Sequence, residues 1–179
     1  NPNRQDDISG LGHLCAAGVT FLTLVAVARE LRARGAYTER TAPELMSWLD
    51  LVALATVCDV VPLQTLNRAY VVQGLKVMKA RANAGLRALA DAAGLDAPPS
   101  TYHLGYILGP RINAGGRIGD AGLGSRLLTL EDDIEAAKIA ATLDRLNRER
   151  KALETQMLEE AMAEADRLID ETPDLPILV

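Results

Sequence analysis

Asp59 lies inside an otherwise apolar run, residues 51–63, LVALATVCDVVPL. An ionised carboxylate buried without a partner is costly, so a group in this setting is paired, protonated or bound to a cation. A cap or an arginine partner is one reading of Asp59, and a metal ligand is the other. The second stretch with chemical potential is 109–120, GPRINAGGRIGD. Its four glycines, one proline and two arginines lead us to expect an irregular loop. Such a backbone leaves N–H groups free to point at a ligand, and Arg111 and Arg117 could converge on phosphate oxygens. A tight surface turn whose arginines pair with acidic helices is the alternative. Neither Gly-x-Gly-x-x-Gly nor Gly-x-x-x-x-Gly-Lys occurs here, so no fixed phosphate signature decides between them.

The elements that must position these residues read mostly as helices. Residues 14–35 are apolar almost all round before Arg29 and Glu30, as expected of a buried helix that exits to solvent at Gly35. Thr41-Ala42-Pro43-Glu44 has the form of a capping box. The helix after it carries Leu45, Trp48, Leu49, Val52, Ala55 and Thr56 on one face, which at 3.6 residues per turn also receives Asp59. Its end is expected at Cys58 or Asp59, before Pro62, with a strand over 55–61 as the alternative. Asn67 is the expected N-cap of the next helix, with Val71, Leu75 and Met78 inward. Asn83 opens a short helix that Gly94 closes, and a brief helix at 101–108 leads to the glycine-rich stretch. From 131 to 169 no proline or glycine interrupts the pattern, which gives a helix roughly 60 Å long. Ile139, Leu143, Leu146, Leu153 and Met157 form a narrow stripe with Arg150 in its gap, suited to a coiled coil or an inter-domain strut.

At 179 residues and 49% hydrophobic, the chain can bury one sizeable core, and 3% aromatics with abundant alanine and leucine favour close helix packing. Two distant cysteines, Cys15 and Cys58, and two histidines suggest neither a disulfide framework nor a zinc site. This points to a reducing, cytoplasmic setting. The apolar run 14–28 is shorter than the ~20 residues of a spanning helix, and no secretory signal pattern opens the chain. The absence of an initial methionine and the final LPILV suggest an excerpt of a longer protein. Net charge is −5. Between Arg68 and Arg126, however, eight Lys or Arg face three Asp, and this local excess points to a polyanionic partner.

Three segments in register, LCAAGVTF, DLVALATVCDVVPL with Asn67-Arg68, and LGPRINAGGRIGDA, resemble the RecJ family of single-strand-specific DNA exonucleases, within the DHH phosphoesterase superfamily. The resemblance implies an α/β DHH phosphoesterase fold in the full protein, with the covered segment predominantly α-helical. Residues 1–130 would be the C-terminal half of the DHH domain, 131–172 the long connector helix, and 173–179 the start of a DHHA1 domain. It also implies 5′-to-3′ hydrolysis of single-stranded DNA in recombination and repair, with Mn2+ (or Mg2+) as cofactor. Asp59 would be one metal ligand, and Arg111, Asn113 and Arg117 would bind phosphate. The family's earlier Asp-x-Asp and Asp-His-His motifs are absent here, since His13 and His103 stand alone, so the segment by itself is expected to be inactive. Two alternatives stand beside this. One is a DHH phosphoesterase acting on short oligonucleotides or cyclic dinucleotides, and the other a non-enzymatic helical scaffold.

Overall fold

A computed structural model of the chain describes residues 1–171. Among them every regular element is helical: α1 (Ala16–Ala33), a 3-10 turn (Leu45–Trp48) running into α2 (Leu49–Cys58), α3 (Thr65–Lys79), α4 (Ala84–Ala92), a π-helical segment (His103–Leu108) continuous with α5 (Gly109–Ile118), α6 (Gly122–Thr129) and α7 (Asp133–Glu171). The expected start of a further domain at 173–179 lies outside the described residues.

Close packing of α2 on α3 builds the first layer. Gly74 of α3 lies directly against the Leu49 carbonyl and the Ala53 Cβ, so a side chain there would strike backbone. The second layer is formed by α4, α6 and α7 around Leu89, Leu127 and Leu143, each fully buried together with Leu104 of the π segment. Gly85 of α4 meets the Leu127 carbonyl in the same manner. A smaller cluster of Leu14, Phe21, Leu49, Val52 and Tyr70 attaches α1, with the Phe21 and Tyr70 rings edge to face at 5.5 Å.

Local signals account for several boundaries. Asn83 Oδ1 accepts the Leu86 N–H at 2.8 Å and so caps α4 as expected, and Gly94 takes the left-handed φ of +68° that ends it. Val71 and Met78 are buried and Leu75 is half-buried, in agreement with the inward face expected of α3. The long helix begins with Asp132 Oδ1 accepting the Glu135 N–H at 2.7 Å. Its 39 residues span about 58 Å. Only its first half enters the core: Ala136, Ile139, Ala140, Leu143 and Leu146 are buried, whereas Leu153 and Met157 are exposed.

Four expectations need correction. The segment 109–118 is helical, not a loop, and two of its three glycines, Gly109 and Gly115, serve close approach. A Cβ on Gly109 would lie 2.5 Å from Cys58 Sγ, and one on Gly115 would lie 2.8 Å from the Asp120 carbonyl. Pro110 is tolerated in the first turn, directly after the π-helical register shift. Secondly, α1 is not buried all round, since Leu24, Val25, Val27 and Leu31 are exposed and only Gly18, Phe21 and Ala28 are covered. Thirdly, Asn67 does not cap α3. That helix starts at Thr65, and the fully buried Asn67 side chain donates to the His13 and Pro62 carbonyls at 2.8 and 2.9 Å. Finally, no capping box forms at Thr41–Glu44, because the chain enters α2 through the 3-10 turn with no side-chain cap at Glu44.

Candidate functional site

Asp59 is the C-cap of α2, its N–H bonded to the Ala55 carbonyl at 2.9 Å, and its side chain is exposed. The expected burial of this carboxylate is therefore overturned, and helix geometry gives the reason. The buried acid of the motif is Asp50, 4% exposed. Nine residues at 100° each bring Asp59 to the opposite side of the helix from Asp50. Asp59 also stands where the helix dipole is negative, an unfavourable place for an acid unless a cation joins it. The next residue, Val60, adopts φ +55° and is 87% exposed. A β-branched residue held in the left-handed region is strained, and such strain concentrates at functional sites. Downstream, the two Asn67 hydrogen bonds pin the turn that follows Asp59 to the segment before α1.

Cys58 links this helix end to the glycine-rich segment. Its thiol donates to the Leu104 carbonyl at 3.6 Å, and Gly109 packs against the sulfur. Burial pushes the Cys58 thiol up from its ordinary pKa, and the neighbouring Asp59 charge adds to that. The thiol is thus kept protonated, a packing and donor group and not a nucleophile.

Beside this junction a cleft of about 170 Å³ is lined by Cys58, Gly105, Gly109, Pro110, Asn113, Arg117 and Arg150. The fold therefore brings the end of the Asp59 helix and two of the three expected phosphate ligands to one place. Asn113 and Arg117 are exposed there, one turn apart on α5. Arg150 comes from α7, its side chain only 17% exposed, paired with Glu154 and donating to Asn147 Oδ1 at 3.2 Å. Sequence reading noted Arg150 only as an interruption of the α7 stripe. A charge in the gap of an apolar stripe was the signal available for it.

Arg111 behaves differently from the phosphate-facing role expected of it. Its guanidinium turns inward, Nε 2.9 Å from Asp144 Oδ1 and Nη1 2.8 Å from the Ile107 carbonyl, with the side chain 13% exposed. Arg148 pairs with the other oxygen of the same carboxylate. Arg111 thus fastens α5 to α7 and holds Asn113 and Arg117 at the cleft.

A second cavity, about 250 Å³, lies between α2, α3 and α4 and includes Asp50, Met78, Arg81, Leu86, Arg87 and His103 in its wall. Burial raises the Asp50 carboxyl above the usual carboxylate range, although Oδ1 accepts the Leu51 N–H at 2.7 Å. Asp50 opens the same motif as Asp59, and its placement in the first turn of a helix concealed its burial.

The described residues contain no group of three or more His, Cys, Asp or Glu side chains able to hold a metal ion by themselves. Asp59 fits a divalent cation as a single hard oxygen ligand. No helix of the described residues is long and apolar enough to cross a membrane.

The site is thus an acidic helix end beside a basic cleft in a helical segment, and comparison with known proteins shows what the chain resembles. The single-stranded-DNA-specific exonuclease RecJ of Dickeya dadantii is 39% identical over 181 residues, which cover 99% of this chain and 31% of that protein. RecJ of Escherichia coli is 39% identical over 98% of this chain and 31% of its own length. RecJ of Thermus thermophilus is 37% identical over 84% of this chain. Its crystal structures in complex with Mn2+ and with Mg2+ superpose with TM-scores of 0.65 and 0.64, covering 73% and 71% of this chain and 20% of the solved chain. No family model matches. The chain is RecJ-like over nearly its whole length, and it spans about a third of the length of the first two relatives.

Proposed function

We propose that this chain is the helical part of a metal-dependent exonuclease that hydrolyses phosphodiester bonds of single-stranded DNA from the 5′ end, in recombination and repair in the cytoplasm. The observation that carries this reading is the junction at Cys58, where the Asp59 end of α2 and the Asn113–Arg117 face of α5 meet at one cleft. The relatives named as single-stranded-DNA-specific exonucleases, and the RecJ structures holding Mn2+ or Mg2+, support it.

Asp59 would hold Mn2+, or Mg2+, as one ligand, the others coming from an α/β DHH domain outside this segment. The segment alone would accordingly be inactive. When bound, the metal supplies a nucleophilic hydroxide and charge neutralisation for phosphodiester hydrolysis. The chain's own residues position the strand. Arg117 offers a bidentate fork to a phosphate, Asn113 an amide donor, and Arg150 a second cation whose range is limited by Glu154. Arg111, with its charge matched by Asp144, sets the register of α5.

The test is the salt dependence of single-strand binding in the full-length protein. Arg117→Ala should flatten the slope of log K against log salt by about 0.7 per lost phosphate contact. An unchanged slope would overturn the phosphate assignment. Comparing manganese-dependent turnover of long single strands and dinucleotides checks the substrate class, and preference for the dinucleotide would overturn it.

A further inference from the structure

Two tyrosines on the helix that enters the cleft have no role in the site described above. Tyr102 and Tyr106 are 60% and 69% exposed. Their rings stack on each other, centroids 5.1 Å apart with 25° between the planes. The ring of His103 meets Tyr102 edge-on at 6.0 Å. Exposed aromatic surface of this kind is costly in water and marks an interaction site more often than an isolated apolar residue does.

The pair is held rigidly. Leu104 and Leu108, on the other side of the same segment, are 0% and 2% exposed and anchor it in the core. At its start, His103 Nδ1 accepts the Ser100 N–H at 3.2 Å and so takes the reciprocal capping position. From Tyr106 the helix runs to Asn113 and Arg117. Those seven residues advance roughly 10 Å along the axis, close to three stacked-base rises of about 3.4 Å. Gly105 and Gly109 line the cleft along that path and place no side chain in it.

We propose that Tyr102 and Tyr106 form a base-stacking platform for single-stranded nucleic acid, receiving bases a few nucleotides from the phosphate held at Asn113 and Arg117. This rests on the reading of the cleft as a nucleic-acid site. An aromatic platform beside a basic groove is the arrangement that binds single strands without regard to sequence, because every base has a π-face. The platform therefore gives affinity and register without base preference.

The experiment uses full-length protein and oligothymidylates, intact or carrying one abasic site at successive positions, with affinity read by fluorescence anisotropy. Tyr102→Leu with Tyr106→Leu keeps apolar volume and removes the π-faces. This variant should weaken binding to the intact strand on the order of ten-fold, with the salt slope unchanged. Wild type should show one window of positions at which an abasic site weakens binding, and the double variant should lose that window. Tyr102→Phe with Tyr106→Phe should bind as wild type. A Leu variant with wild-type affinity and an intact abasic window would overturn the platform, and so would one with lowered Tm but unaltered affinity, which would mean that protein covers the rings. Arg117→Ala reports on the cleft separately, because a flattened salt slope there leaves the cleft reading standing even if the tyrosines fail.

Discussion

Arg111 Nε lies 2.9 Å from Asp144 Oδ1, with the two side chains 13% and 8% exposed, and this pair couples the segment that carries the cleft to the longest helix of the chain. Removing Asp144 leaves Arg111 buried without a charge partner, whereas removing Arg111 leaves Asp144 only the exposed Arg148. Asp144→Ala should therefore cost about 3–5 kcal/mol and Arg111→Ala less, since Arg148 still meets the carboxylate, both read as a lowered thermal midpoint. Arg148 reaches the same carboxylate from solvent, 68% exposed, and its replacement should cost within about 1 kcal/mol. If Arg111→Ala left stability intact and flattened the salt dependence of DNA binding, Arg111 would be a phosphate ligand after all.

Gly74 and Gly85 test the packing of the two layers. Each would place a Cβ on a neighbouring carbonyl, that of Leu49 and that of Leu127. Because those atoms belong to helix backbone, the clash is relieved only by moving helices apart. Gly74→Ala and Gly85→Ala should each destabilise by at least the 1–3 kcal/mol typical of overpacking, measured by denaturant or thermal unfolding. Gly116, with nothing near its Cβ position, should accept alanine with a small gain from helix propensity.

Those glycines explain where the sequence was legible. Periodicity located α1, α2 and α3, the lack of proline and glycine located α7, and Asn83 and Gly94 marked the ends of α4 because their chemistry is local. Glycine carries two meanings, flexibility and close approach, and only the neighbouring helix distinguishes them. That is why 109–118 read as a loop until Cys58 and Asp120 were seen against it. The same limit applied to the acids. Composition shows an acid in an apolar run, but which of Asp50 and Asp59 is buried depends on which side of α2 the other helices cover. Arg111 and Arg117 were likewise equivalent in sequence, and Asp144, 33 residues on, separates their roles.

The pH dependence of stability should carry the mark of Asp50. Burial raises its folded-state pKa, so the native state holds a proton that the unfolded state has released. Its contribution to stability is fully present below the unfolded value of 3.8 and is lost as pH rises through the raised folded value. Asp50→Asn, which cannot ionise, should flatten stability against pH in that window and be more favourable relative to wild type above it. Thermal midpoints between about pH 4 and 7 check this, and parallel curves for the two proteins would refute it.

Asp59 predicts the opposite pattern, a loss of function without a loss of fold. The side chain is exposed, so Asp59→Ala should change stability by no more than about 0.5 kcal/mol. Manganese-dependent turnover by the full-length protein should fall by more than about 100-fold, since even partners outside the coordination shell account for roughly 10–100-fold. Wild-type turnover at limiting manganese would remove Asp59 from the metal site.

The π-helical segment at His103–Leu108 makes chain length, more than residue identity, the critical variable in this region. Its wider turn already takes up one extra residue, so excising one would relax it to ordinary α geometry with the following helix nearly in register, whereas inserting one would swing everything after it by about 100°. Asn113 and Arg117 would leave the cleft, and Arg111 would be turned from Asp144. A one-residue insertion would thus dismantle the site while keeping every one of its side chains, whereas a one-residue deletion would spare it.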